Sequence, residues 1–236
     1  FEQVPVITLS TSLSNLNAQP GFKFNRGSYL YKAALSMLFT DALSDMHFST
    51  IIREISPGNT QDVTDYYLNS YMDGSIPLTK TGLLSWLKRA VNDFNAIRVH
   101  QENFPRVGIV GEIYVKYNAF SNNHVAQWLM DQNLEVVMPS FLEFFQGGML
   151  TADQAVQSNV RKRDAYWMLN RVGELISNRI QAQFEAVLLG FARYRPRHAI
   201  RDVANHAQEI LSLNHQYGES WLIAGEIASF VKDGIT

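Results

Sequence analysis

From Ser28 the apolar positions Leu30, Ala33, Ala34, Met37, Leu38 and Ala42 recur at helical spacing, and the pattern predicts a helix to about His47. Before it, Val4-Pro5-Val6-Ile7-Thr8-Leu9 is a short run rich in β-branched residues and predicts a strand, with Pro5 suited to an edge or a first position. Residues 11–26 are polar around Pro20-Gly21 and read as a loop. Pro57-Gly58-Asn59-Thr60 breaks the chain, and Asn59 or Thr60 is expected to cap a helix ending near Met72, where Asp73-Gly74 stops it. A third helix begins near Leu78 and places Leu83, Leu84, Leu87, Val91, Phe94 and Ile97 on one stripe.

The period then shortens. Arg106 to Val110 is a compact apolar strand ended by Gly111, Ser121 or Asn122 can cap a helix holding Val125, Trp128 and Leu129, and Leu134 to Met138 is a second strand stopped by Pro139. Strand, helix and strand of these lengths predict a right-handed parallel crossover. From Thr151 the chain is expected to be helical, with a long amphipathic stretch through Trp167, Leu169, Val172, Leu175, Ile176, Ile180, Phe184, Val187 and Leu188, punctuated by Pro196. Two more helices cover roughly 198–213 and 219–232. Lys232-Asp233-Gly234-Ile235-Thr236 then has the form of a helix end with Gly at C′, followed by the start of a new strand.

The expected class is therefore α/β: helix-rich, with a small parallel sheet whose Rossmann-like βαβ unit is flanked by helices. Residues 1–236 read as a single domain, with lobes 1–104 and 105–236 as the other partition. Phe1 in first place, with no basic-then-apolar leader, leads to the expectation of a fragment of a much longer protein.

Composition narrows the chemistry. A net charge of −2 gives no electrostatic reason to expect nucleic acid or an anionic membrane as partner. No apolar run approaches the roughly 20 residues that span a bilayer. Cysteine is absent, which excludes disulfides, a thiol nucleophile, a zinc ribbon and Cys-ligated iron–sulfur clusters within these residues, and is compatible with a cytoplasmic origin.

Residues 106–123 read RVGIVGEIYVKYNAFSNN. This resembles a signature of proteins related to the activators and subunits of 2-hydroxyacyl-CoA dehydratases. Val4-Pro5-Val6-Ile7 followed by Pro20-Gly21-Phe22-Lys23 is similar to the start of an uncharacterised domain in the long activator-like members. Gly218-Glu219-Ser220-Trp221-Leu222, with Gly225-Glu226, resembles the helix before that family's Cys-containing strand. Together the matches span nearly the whole chain.

The resemblance implies an accessory domain that follows ATPase domains and supports ATP-driven electron transfer through an iron–sulfur site. Its 4Fe–4S cluster and ATP would belong to the full-length parent, with no cofactor in this chain. The implied partners are other domains of the same polypeptide and a dehydratase or reductase component. Ala119 stands where the family more often has Pro, and the missing cysteines prevent any carry-over of cluster binding to a position here.

The residues of the motif support a site on their own terms. In parallel α/β sheets ligands sit outside the carboxyl ends of strands. Gly111 lies at such an end, followed by Glu112, Lys116, Tyr117, Asn118, Asn122 and Asn123 in a polar loop, the last two at an expected helix N-terminus. The alternative is that Glu112 pairs with Lys116, Asn122 caps the helix, and nothing binds. Glu219 and Glu226 are secondary candidates.

Elsewhere, Asp202, His206 and Glu209 share one helix face at metal-ligand spacing, although such trios are commonly solvated pairs. Of the remaining histidines, His47, His100, His124, His198 and His215, only His124 adjoins the motif. Arg161-Lys162-Arg163 and Arg193, Arg195 and Arg197 could hold the phosphates of coenzyme A or an acidic partner, and are otherwise exposed faces. Tyr66, Tyr67, Tyr71, Trp86 and Trp167 suit a core or an interface. Neither a G-x-S-x-G elbow nor a G-x-x-x-x-G-K-[ST] loop occurs.

Three functions compete. The first, a cluster-supporting accessory domain, predicts a polar pocket at the strand ends. The second, an interaction or scaffolding module linking ATPase and reductase parts, predicts paired-off loop side chains and an exposed apolar patch. The third, a free-standing CoA-ester enzyme, lacks a catalytic constellation.

Overall fold

The computed structural model describes residues 25–214 and 219–236. The expected strand Val4–Leu9, the turn at Pro20-Gly21, and His215 lie outside the described residues.

Helix α1 (Arg26–Ile51) begins where Asn25 accepts a hydrogen bond from the Ser28 amide at 3.0 Å. It buries Leu35, Phe39, Ala42, Leu43 and Met46 against α2 (Asn59–Met72), α3 (Lys80–Ala96) and the C-terminal half of α7 (Ala165–Leu188). The cap of α2 differs from expectation. Gly58, at φ 98°, is the N-cap, and the Glu54 carboxylate takes the Gly58 and Thr60 amides at 2.7 Å each. A side chain from before the turn thus does the work expected of Asn59 or Thr60.

Strands β1 (Arg106–Gly108) and β2 (Glu135–Val137) pair in parallel, with Val107 opposite Val136. Between them lie α4 (Ile113–Tyr117) and α5 (Val125–Asp131). On the other edge of β1, the Thr236 amide donates to Arg106 C=O at 3.2 Å and Thr236 C=O accepts from the Gly108 amide at 2.8 Å, the alternation of a parallel bridge. Among the described residues the sheet has two strands, and in place of the new strand expected at the chain's last residues Thr236 adds only this pairing at the edge of β1. The turn into it is a Schellman ending of α9 (Ser220–Lys232): Gly234, at φ 66°, donates to Val231 C=O, and Ile235 donates to Phe230 C=O.

Helix α6 (Phe141–Gln157) starts ten residues before the expected Thr151. Asp41 of α1 accepts from the Phe141 and Leu142 amides at 3.1 and 3.4 Å, so a distant carboxylate stabilises this N-terminus. A second core joins Leu150 of α6 to Ile200, Val203, Ala204 and Ala207 of α8 (Ile200–Gln208) and Trp221 and Leu222 of α9. Helix α8 is shorter than the 198–213 expected.

The largest departure concerns α7. Ile180, Phe184 and Leu188 are buried as expected, but Leu169, Val172, Leu175 and Ile176 face solvent. No helix among the described residues is long and apolar enough to cross a membrane.

Candidate functional site

The carboxyl end of β1 turns at Gly111, whose φ of 148° only glycine adopts readily. Glu112 then caps α4, its Oε2 accepting from the Val115 amide at 3.0 Å. It does not pair with Lys116. That lysine is 6% exposed and donates to Glu226 Oε1 of α9 at 2.7 Å. Glu219 also reaches this turn, its Oε1 accepting from the Ile113 amide at 3.0 Å. Residues more than a hundred positions apart in sequence thus meet, and two of the three segments that carry the resemblance touch.

The rest of the loop closes on itself. Tyr117 Oη donates to Pro139 C=O at 2.6 Å, and Asn118 Oδ1 accepts from the Ser121 amide. Asn122 donates to Val115 and Lys116 C=O and accepts from the Val125 amide at 3.3 Å. Asn123 and His124 both take left-handed backbone, at φ 54° and 55°, so they act as turn formers. Helix α5 has seven residues, and its first amide is occupied by Asn122, which leaves little of the anion-binding end that was expected.

Behind the loop lies a partly buried charged network that sequence reasoning missed. Arg197 binds Asp45 at 2.6 Å; Asp41 lies 4.0 Å from Arg197 and accepts from Ser140 Oγ. Burial opposes the Arg197 charge, but Asp45 and Asp41 outweigh it and raise its pKa. Burial and then the neighbouring Glu226 push the Glu143 carboxyl up to about 7. Burial likewise raises Glu226, against the pull of Lys116. Glu143 and Glu226 both line a cleft of about 340 Å³ between the end of β2 and the segment 189–199.

Beyond it, Glu135 of β2 receives Arg53 at 2.6 Å and both terminal nitrogens of Arg195. The 193–197 arginines are therefore engaged within the fold rather than forming a free phosphate cradle: Arg193 donates to Thr50 Oγ1 and Phe94 C=O, and Arg195 stays exposed while it holds Glu135. One legible signal was Glu135 itself, a charge inside an apolar strand. Another was Ser140-Phe-Leu-Glu143, the S-x-x-E pattern of a helix start.

The metal trio does not converge. His206 contacts Ser229 Oγ at 2.8 Å, Glu209 pairs with Lys232 at 2.6 Å, and Asp202 is exposed. Among the described residues no three ligating side chains gather, and the sequence has no cysteine, so its own donors do not fit an iron–sulfur cluster.

At the start of α7, Met168, Leu169, Val172, Leu175 and Ile176 are each at least half exposed and follow helical spacing. Arg161, Lys162 and Arg163 precede them; Arg161 pairs with Asp164, and Arg163 stacks over Trp167. Comparison of the chain with protein-family models, with curated proteins and with solved structures returns no match.

Proposed function

We propose that this chain is a non-catalytic interaction domain of an activator-like protein in a 2-hydroxyacyl-CoA dehydratase system, working in the cytoplasm between ATPase and reductase parts. One contrast carries the interaction reading. The signature-loop side chains Glu112, Lys116, Tyr117, Asn118 and Asn122 have partners inside the fold, while α7 exposes a continuous apolar stripe. The family connection is supported by the motif at Arg106–Asn123 and by its contact with Glu219 and Glu226.

The basic triplet beside the stripe specifies the partner's chemistry: an apolar surface rimmed by carboxylates. Within such a parent the sheet is a Rossmann-like βαβ unit, and the iron–sulfur cluster and ATP are handled by other parts.

The test is a titration of the chain against the separately purified ATPase-bearing part, with Leu169→Ser/Ile176→Ser as the variant. Association that the variant loses while keeping its melting temperature supports the proposal. Equal binding by the variant overturns it, and so does self-association through the stripe on a sizing column without binding to the ATPase part.

A second reading has one observation in its favour. Thr236 runs parallel to β1, so any chain continuing past it would leave beside Gly111, and the loop would border whatever site that chain brought.

A further inference from the structure

Among the described residues, Thr60 Oγ1, Glu143 Oε1, Arg193 Nε and Glu226 Oε2 are buried side-chain atoms without a hydrogen-bond partner. All but Thr60 line the one cleft between the end of β2 and the segment 189–199. Folded proteins rarely leave such atoms bare, because a lost partner costs more than a typical hydrogen bond gains. The gathering of bare acceptors and a bare donor in one cavity calls for a ligand with both functions.

The charges around the cleft are polarised. Around Glu143 stand Glu226, Arg197, Lys116 and Asp41, with Asp45 bound to Arg197, and Arg106, His198 and Asp233 also line the cleft. Around Glu135, Arg53 and Arg195 share its carboxylate, and Arg193, beside them, has only neutral acceptors. Glu143 is 9% exposed and Glu226 3%. Glu143 also stands third after Ser140, from where it could reach back to cap α6, yet no such bond forms and its Oε1 is buried without a partner, on a side chain that lines the cleft.

We propose that this cleft binds a small zwitterion of the free amino acid class, its ammonium donating to Glu143 and Glu226 and its carboxylate accepting from Arg193. The cavity's volume of about 340 Å³ is in the range of small-molecule sites. Selectivity would come from the two charged ends: a monofunctional amine leaves Arg193 bare, and a simple carboxylate leaves both glutamates bare.

Binding should tighten with pH. An ammonium needs Glu143 ionised, and its carboxyl is held up to about 7 by burial and by Glu226 of α9. Asp41 of α1 adds to that rise, while Lys116 of α4 and Arg197 of the 189–199 segment oppose it. Asp45 of α1 and Tyr117 of α4 are further titratable groups near Glu143, and Tyr194 and His198 of the 189–199 segment and Asp233 after α9 line the same cleft.

The experiment is calorimetric titration of the full 236-residue chain with glycine, L-alanine and L-leucine, and with propylamine and propionate as monofunctional probes. At least one amino acid should bind about tenfold more tightly than either monofunctional probe, and more tightly at pH 8 than at pH 6. Glu143→Gln should weaken that binding about tenfold at pH 8 while keeping or raising the melting temperature, and Arg193→Lys, which lacks Nε, should weaken it similarly. Should a variant fail to fold, the pH dependence of the parent chain decides. The proposal is overturned if no amino acid outbinds the monofunctional probes, if Glu143→Gln binds like the parent chain, or if affinity is the same at both pH values. None of these outcomes depends on the α7 face.

Discussion

Lys116 and Glu226 lie 2.7 Å apart with side chains 4% and 2% exposed, so each charge relies on the other for the solvation that water would have given. Replacing both by apolar residues of similar volume should cost little, whereas Glu226→Ala alone strands a buried ammonium. The single substitution is expected to destabilise by about 3–5 kcal/mol and the double Lys116→Met/Glu226→Leu by far less. Equal losses in urea denaturation would contradict this. Glu143 gives a pH signature of its own. Its folded pKa is raised to about 7 from 4.5, so its contribution to stability is fully present below about 4.5 and is lost as pH rises through about 7. Glu143→Gln should remove that decline and leave the variant the more stable form at pH 8, by an amount on the order of 3 kcal/mol. A parallel fall in both proteins between pH 5 and 8 would assign the effect elsewhere.

At the scale of elements, glycines decide how closely helices approach. A Cβ on Gly225 would sit 2.4 Å from the Val203 carbonyl oxygen, backbone that α8 cannot move aside, so Gly225→Ala should cost about 1–3 kcal/mol by forcing α8 and α9 apart. Gly148 on α6 meets nothing within 4 Å, and Gly148→Ala should stabilise by about 0.5–1 kcal/mol through helix propensity. Thermal melts of the pair test both signs, and a Gly225→Ala protein as stable as the parent chain would show that the crossing can relax.

The helices whose signals are local were legible in the sequence. Helix α3 follows from the stripe Leu83, Leu87, Val91 and Phe94; β1 and β2 follow from their short apolar runs; the end of α9 follows from Gly234. The early start of α6 was obscured by Gly147-Gly148, and it is fastened by Asp41, a hundred residues away. The candidate site divides the same way. Its position at the end of β1 was readable from Gly111, but the partners of Lys116 and Glu135 come from other parts of the chain and leave no mark in local spacing.

For the molecule as a whole, α7 shows why apolar periodicity is ambiguous: it marks a face to be covered without saying whether this chain covers it. The net charge is −2, yet Arg161, Lys162 and Arg163 stand together beside that face. Association with a carboxylate-rimmed partner should therefore slow as salt is raised, through the on-rate, with the off-rate governed by the apolar contact. Stopped-flow mixing at two ionic strengths checks this, and a salt-independent on-rate would remove the basic triplet from the docking surface.

Glu135 carries a different kind of consequence. It joins Arg53, 82 residues earlier, to Arg195, 60 residues later, so three regions close on one carboxylate. Contacts spanning such long loops are expected to form after the transition state, when the helices around α1 have already assembled. Glu135 would then act as a latch on the finished molecule. Loosening it would leave the speed of folding nearly untouched and shorten the lifetime of the folded state.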